Sequence, residues 1–131
     1  MRIKLTSILV DDQAKAEAFY TNILGFIKKH DFPIGAQRWL TVVSPEGPDN
    51  IEVTLESNSN PAAKVYQAAM LAQGIPLAAF EVSDIAADYE RLTNLGVEFA
   101  RVPMNAGPVI MAIFADTCGN LIQLYQVVSP V

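Results

Sequence analysis

The chain has 131 residues, of which 51% are hydrophobic and 18% are charged, with a formal net charge of −5. This length and composition predict one globular domain, or two small halves sharing a core, and such an apolar chain often associates into a homodimer. The acidic balance argues against a nucleic-acid partner, and the longest apolar run, PVIMAIFA, is far shorter than a membrane helix.

Two features bear on where the protein is located. The amino terminus, MRIKLTSILV, lacks the order of basic, apolar and small-residue regions that a signal peptide has. The single cysteine, Cys118, cannot form an internal disulfide framework, and no basic neighbour favours its thiolate. We therefore expect a cytoplasmic protein.

Residues 1–57 predict a strand, a helix and three further strands. LTSILV, at 5–10, has the composition of a strand. In the segment that follows, apolar residues recur at helical spacing, Asp12 suits the N-cap and Gly25 suits the residue just past the helix. Short alternating segments then predict three strands, of which NIEVTL is the last.

A linker helix is predicted at 60–74. Asn60 suits its N-cap, Pro61 its first position and Gly74 the position past its end. We expect its apolar face to pack on the chain itself or on a partner. That face consists of Ala62, Val65, Tyr66, Ala69 and Met70.

Residues 76–128 repeat the first unit. The matching segments lie 71 or 72 residues apart, which indicates two copies of one β-α-β-β-β unit. The matches are LTSILVDD with LAAFEVSD, ILGF with NLGV, LTVVS with MAIFA, and IEV with IQL. The predicted fold is α+β, with two tandem units whose curved mixed sheets surround a concave cleft.

Strand alternation predicts which side chains point into this cleft. Because Ile51, Val53 and Leu55 must face the helix, Glu52 and Thr54 face the other way. The same reasoning adds five residues to this second face: Ser7, Trp39, Thr41, Gln123 and Tyr125. A largely apolar cavity with a few polar groups is typical of a small-molecule pocket.

Two alternatives stay open for this face. It could be a filled core, in which Gln123 donates a hydrogen bond to Glu52 across the two repeats. It could instead be a pocket in which both side chains meet a ligand. His30, the only histidine, is expected off this face from its position in the sequence.

The tandem units and two motifs resemble the vicinal oxygen chelate superfamily. The motifs are VDDQAKAEAFYTNILGF, with V-x-D leading into a helix, and the late hairpin DTCGNLIQL. This superfamily includes glyoxalase I, extradiol dioxygenases, and fosfomycin- and bleomycin-resistance proteins. The resemblance covers nearly the whole chain and implies the fold, but it leaves the activity open between lyases, transferases, dioxygenases and non-enzymatic binders.

The resemblance also implies four metal-ligand positions, which here are Leu5, Glu52, Leu77 and Gln123. Only Glu52 is a usual ligand, since leucine cannot bind a metal and Gln123 offers a neutral carbonyl oxygen. A first-row divalent metal needs about three or four protein donors. We therefore expect neither a metal nor another cofactor.

Three functions are compatible with the sequence. The first is a glyoxalase/bleomycin-resistance-like protein that binds a small, largely apolar molecule without a metal, with Arg38 as an anion contact. The second is a metal-independent enzyme that uses Glu52 as a general base, its pKa raised by desolvation. The third, a metal-dependent glyoxalase-type lyase or dioxygenase, conflicts with the ligand positions. The expected ligand-binding residues are Ser7, Arg38, Trp39, Thr41, Glu52, Thr54, Gln123 and Tyr125.

Overall fold

The computed structural model describes residues 1–129, which form two compact units that divide between Tyr66 and Gln67. The first unit holds β1 (Leu5–Val10), α1 (Gln13–Ala18, continued by a π-helical turn, Phe19–Ile23), β2 (Ile27–Ile34), β3 (Gln37–Val43) and β4 (Glu52–Ser57). Helix α2 (Pro61–Ala72) spans the division. The second unit continues with β5 (Ala78–Glu81), α3 (Ile85–Asn94), β6 (Phe99–Ala106), β7 (Val109–Ala115) and β8 (Leu121–Val127).

Each unit contains one four-stranded mixed sheet. The strand order is β1-β4-β3-β2 in the first unit and β5-β8-β7-β6 in the second. In both sheets the first strand of the unit runs parallel to the last one, and the other pairs are antiparallel. The predicted α+β fold of two tandem β-α-β-β-β units is therefore confirmed.

The core of the first unit lies between α1 and the sheet. Asp12 caps α1 as predicted, because its carboxylate accepts a hydrogen bond from the backbone N–H of Lys15 at 3.0 Å. On β1 the buried residues Ile8 and Val10 alternate with a more exposed one, as predicted. On β3 and β4 residues of both faces are buried, including Thr41 and Thr54. The buried residues of this core include Ile8, Val10, Ala16, Phe19, Tyr20, Leu40, Val42 and Leu55.

The strand registers correct one segment of the predicted repeat. Val42 pairs with Val53 in the first unit, and Ala112 pairs with Leu124 in the second. Since Val53 and Leu124 are equivalent, Val42 corresponds to Ala112, one residue earlier than the alignment of LTVVS with MAIFA has it. A slip of one residue exchanges the two faces of a strand, so that alignment is wrong for β7.

Helix α2 has the predicted start, and its expected apolar face is largely exposed within this chain. The side chain of Asn60 accepts a hydrogen bond from the backbone N–H of Ala62 at 2.9 Å. Val65 is 71% exposed and Tyr66 is also exposed, whereas Gln67 is buried. Val65 and Tyr66 are therefore largely exposed on their own chain, and the alternative that this face packs on a partner stays a prediction. None of the helices within residues 1–129 is long and apolar enough to cross a membrane.

Gln67 joins α2 to the turn between β7 and β8. Its amide nitrogen donates to the Cys118 carbonyl oxygen at 3.0 Å and to Asn120 Oδ1 at 2.9 Å. Asp116 organises the same turn, because its carboxylate accepts from the backbone N–H groups of Cys118 and Asn120. Cys118 is fully buried here. This network gives the DTCGN motif a structural role.

Candidate functional site: a cleft on the first unit

A cleft of about 330 Å³ lies against the sheet of the first unit. It is walled by the ends of β2, β3 and β4 and by the start of α2. Three residues predicted to bind a ligand line it, namely Arg38, Trp39 and Thr54. The full lining is Ile34, Gln37, Arg38, Trp39, Thr54, Glu56, Ser57, Ser59 and Asn60.

Thr54 is the polar group of the cleft that lacks a partner. The residue is only 4% exposed, and its hydroxyl oxygen has no hydrogen-bond partner within the described residues. Buried hydroxyl groups are nearly always hydrogen-bonded, and leaving one unpaired costs about 1–3 kcal/mol. The Thr54 hydroxyl is therefore a buried group with unused hydrogen-bonding capacity, on a residue that lines the cleft.

An aromatic pair forms the apolar part of this face. Phe32 lies opposite Trp39 in the β2–β3 register, and the two rings stack with their centroids 6.5 Å apart and their planes at 29°. Phe32 is exposed and Trp39 is half-buried. The strand pattern of the sequence indicated Trp39, and Phe32 was not recognised, although the alternation of β2 and β3 would have placed the two side by side.

Arg38 is engaged with carboxylates of its own unit. Its guanidinium bonds both carboxylate oxygens of Asp31, at 3.0 and 2.7 Å, and also bonds Glu17. These bonds hold the pKa of Asp31 at about 2, and with Lys28 they lower the pKa of Glu17 despite its partial burial. An external anion at Arg38 would have to compete with both carboxylates.

Glu52 is buried but has three polar neighbours. It is 6% exposed, and its Oε1 atom accepts from the Thr41 hydroxyl at 2.8 Å and lies 2.8 Å from His30 Nδ1. The Lys4 ammonium group is 3.8 Å from Oε2. The bond from Thr41 lowers the pKa of Glu52, and together with His30 it outweighs the opposite effect of burial. The predicted raised pKa is therefore wrong, because the carboxylate is hydrogen-bonded rather than isolated.

His30 reaches Glu52 because β2 contains a bulge. Lys28 pairs with Val42, but His30 pairs with the next residue of β3, Thr41, so Lys29 is an extra residue in β2. An extra residue resets the alternation of a strand and re-aims the side chains beyond it. The expectation that His30 lies off the face of Glu52 is therefore wrong, and no sequence signal for this bulge was recognised.

The remaining predicted residues have varied surroundings. Ser7 lies beside Thr54 in the parallel register of β1 and β4 and is exposed, and Thr41 is fully buried. Gln123 and Tyr125 are partly exposed on β8 of the second unit. Hydrogen bonding between Gln123 and Glu52, and ligand contacts of Gln123 and Tyr125, stay predictions.

The side chains around Glu52 do not fit a divalent metal. Within residues 1–129 no group of three or more His, Cys, Asp or Glu side chains could hold a metal ion. Glu52 already accepts a hydrogen bond from the Thr41 hydroxyl, and the nearby Lys4 ammonium group would repel a cation. No chemical step through a metal is derived from this arrangement.

Comparison with known proteins identifies the family. The sequence profile of the Glyoxalase/Bleomycin resistance protein/Dioxygenase superfamily matches residues 2–124. The chain belongs to this superfamily. Over 126 residues it is 51% identical to the uncharacterised protein YurT of Bacillus subtilis (strain 168), a match that covers 96% of this chain and 99% of YurT.

Two solved structures of similar chains have the same fold. UcmS2 superposes with a TM-score of 0.81 at 34% identity, covering 95% of this chain and 97% of that one. TnmS3, described as an antibiotic-binding protein from Streptomyces sp. CB03234, superposes with a TM-score of 0.77 at 29% identity, covering 97% and 96%. The resemblance that the sequence motifs indicated is thus confirmed for the family and for the fold.

Proposed function

We propose that this superfamily member binds a small, largely apolar molecule in the cleft of the first unit, and that it does so without a divalent metal. The observation that carries the proposal is the buried Thr54 hydroxyl, which lacks a partner and lines a cleft walled by Trp39. A bound molecule would complete the hydrogen bonding of that hydroxyl and cover the indole ring.

The composition of the cleft supports this ligand class. Ile34 and Trp39 supply apolar surface, and Phe32 extends it along β2. A few polar groups set among apolar side chains are typical of small-molecule sites. TnmS3, which is similar over nearly its whole length, is described as an antibiotic-binding protein. Ser7, which lies beside Thr54 in the register of β1 and β4, is a further contact in this proposal.

In this proposal Glu52 supports the site and does not act as a general base. A general base works best when its pKa is close to the operating pH, whereas the bonds from Thr41 and His30 lower that of Glu52. The buried carboxylate orients these two neighbours. Nothing in its surroundings favours the base-catalysed alternative over binding.

We further propose that the two units form one domain and that the protein is a cytoplasmic homodimer. The apolar surface that the described residues expose, including Val65 on α2 and Ile3 near the amino terminus, supports association. Multi-angle light scattering on a dilution series would measure the mass of the particle. A mass of one chain at micromolar concentration would contradict the homodimer.

Binding can be tested with two matched threonine variants. We suggest a thermal-shift screen of neutral aromatic fragments, followed by calorimetric titration of the hits on Thr54→Val and on Thr93→Val. The second variant makes the same chemical change at an exposed helical site. We expect hydrogen-bonding hits to lose about fivefold in affinity with Thr54→Val alone, as one hydrogen bond is worth roughly that much. Equal affinities in both variants would contradict the proposed site.

A further inference from the structure

The second face of β2 continues the wall of the cleft. Ile34 lines the cleft, and Phe32 stacks on Trp39, which also lines it. His30 precedes Phe32 by two residues, so it lies on the same face of the strand. Its side chain is 46% exposed although Nδ1 is hydrogen-bonded. The other edge of the imidazole ring can therefore reach a ligand.

The bond to Glu52 determines which ring nitrogen carries the hydrogen. The pKa of Glu52 is lowered, so the carboxylate is ionised near neutral pH and can only accept hydrogen bonds. Nδ1 of His30 must then donate to Oε1 across 2.8 Å. In the neutral imidazole this leaves a lone pair on Nε2, which makes that atom a hydrogen-bond acceptor.

Register and strand spacing place His30 next to the cleft. His30 lies opposite Thr41, and Thr41 lies opposite Thr54, which lines the cleft. Neighbouring strands are about 4.8 Å apart, and diagonal neighbours on one face are within reach of long side chains. These three residues therefore form one row across β2, β3 and β4. A molecule that covers Trp39 and reaches Thr54 would extend over this row and so reach His30.

We propose that His30 determines the specificity of this site, and that its Nε2 atom accepts a hydrogen bond from a hydroxyl or N–H group on an aromatic ligand. This inference rests on the proposed function, because it concerns the same cleft. The aromatic class follows from Phe32, which lies between His30 and the cleft residue Ile34 along β2 and whose exposed ring offers a stacking surface. The donor group follows from the lone pair on Nε2.

The test uses two probes of nearly equal size and two variants of His30. The probes are 2-naphthol, which can donate a hydrogen bond, and 2-methylnaphthalene, which cannot. His30→Asn keeps an N–H near Nδ1 but has no atom at the position of Nε2, whereas His30→Gln places an amide group there. Urea unfolding of both variants would establish that each is folded before titration.

The measured quantity is the ratio of the two probe affinities in each protein. We expect the preference for 2-naphthol to fall by roughly fivefold in His30→Asn, the value of one hydrogen bond, and to be retained in part by His30→Gln. An unchanged ratio in His30→Asn, with both probes still bound, would overturn the role of His30 and leave the proposed function intact. If neither probe binds the wild-type protein, both proposals are contradicted.

A second measurement does not depend on any variant. Because the chain has one histidine, long-range proton–nitrogen NMR correlations report on its ring alone. We expect the hydrogen on Nδ1 in the free protein, and a change of the Nε2 shift on adding 2-naphthol but not 2-methylnaphthalene. A hydrogen on Nε2 in the free protein, or equal responses to the two probes, would overturn the inference.

Discussion

Nδ1 of His30 lies 2.8 Å from Oε1 of Glu52, although the two residues come from non-adjacent strands of one sheet. The extra residue Lys29 turns the histidine toward the carboxylate, and Thr41, on the strand between them, donates to the same oxygen. The buried charge is thus satisfied within the first unit. Thr54 follows Glu52 by two residues on the same face of β4, and its hydroxyl is buried without a partner among the described residues. This contrast is the reason that we propose Thr54, and not Glu52, as the hydrogen-bonding group for a ligand.

Replacing each of two buried threonines with valine should change stability in opposite directions. Thr54→Val removes a hydroxyl that has no partner, so we expect the free energy of unfolding to rise by about 1 kcal/mol. Thr41→Val removes the donor to the Glu52 carboxylate and should lower it by about 2 kcal/mol. Equilibrium urea unfolding measures both. If Thr54→Val destabilises the protein as much as Thr41→Val does, its hydroxyl is not unsatisfied.

Gly119→Ala should destabilise the protein far more than Gly35→Ala. Both glycines have positive φ, +96° and +56°, so alanine strains the backbone at each. Only at Gly119 would the new Cβ lie 2.8 Å from the amide nitrogen of Gln67, which is held by two hydrogen bonds. We expect losses of about 3 kcal/mol and about 1 kcal/mol respectively.

The double variant Gln67→Ala/Gly119→Ala separates the clash from the backbone strain. Truncating Gln67 removes the side chain that the new methyl group would meet, so the double variant should lose less stability than the two single variants added together. Additive losses in urea unfolding would show that the backbone conformation alone accounts for the effect at Gly119.

Acid should weaken the charge cluster around Arg38. Asp31, whose pKa falls from 3.8 to about 2 because of Arg38, and Glu17, whose pKa is also lowered, stabilise the fold when ionised. Their folded-state pKa values lie below the unfolded ones, so this stabilisation is present above about pH 4 and is lost as the pH falls toward 2. Arg38→Met removes the main cause of both shifts.

The measurement for this cluster is the free energy of unfolding at several pH values. We expect the wild-type protein to lose more stability than Arg38→Met between pH 5 and pH 2, so that the two curves converge at the acid end. Parallel curves over that range would mean that the ion pairs of Arg38 contribute nothing to folding.

Much of the fold was predictable because the helix caps and the strand alternation indicated the same arrangement as the internal repeat. Asp12 and Asn60 marked helix starts through their capping chemistry, and the alternation of β4 placed Glu52 and Thr54 on the second face. Such signals depend on neighbouring residues in the sequence. They needed no knowledge of distant contacts.

What the sequence did not reveal depends on contacts between distant segments of the chain. A bulge at Lys29 aims His30 at Glu52, and the hydrogen bonds it completes lower a pKa that burial alone would raise. On α2 the polar residue Gln67 is buried because the turn after β7 offers it two acceptors, while Val65 is exposed. Periodicity could not reveal these partners, since they lie far away in the sequence.

The proposal of a ligand in the cleft of the first unit is tested most directly at Trp39, the only tryptophan in the chain. Its indole N–H gives one proton–nitrogen NMR signal, which can be followed while neutral aromatic fragments, 2-naphthol among them, are added. We predict that fragments that bind will shift this signal and the backbone signal of Thr54 together, with saturation at one fragment per cleft. Fragments that bind tightly but leave both signals unmoved, or a library in which none moves them, would contradict the proposal.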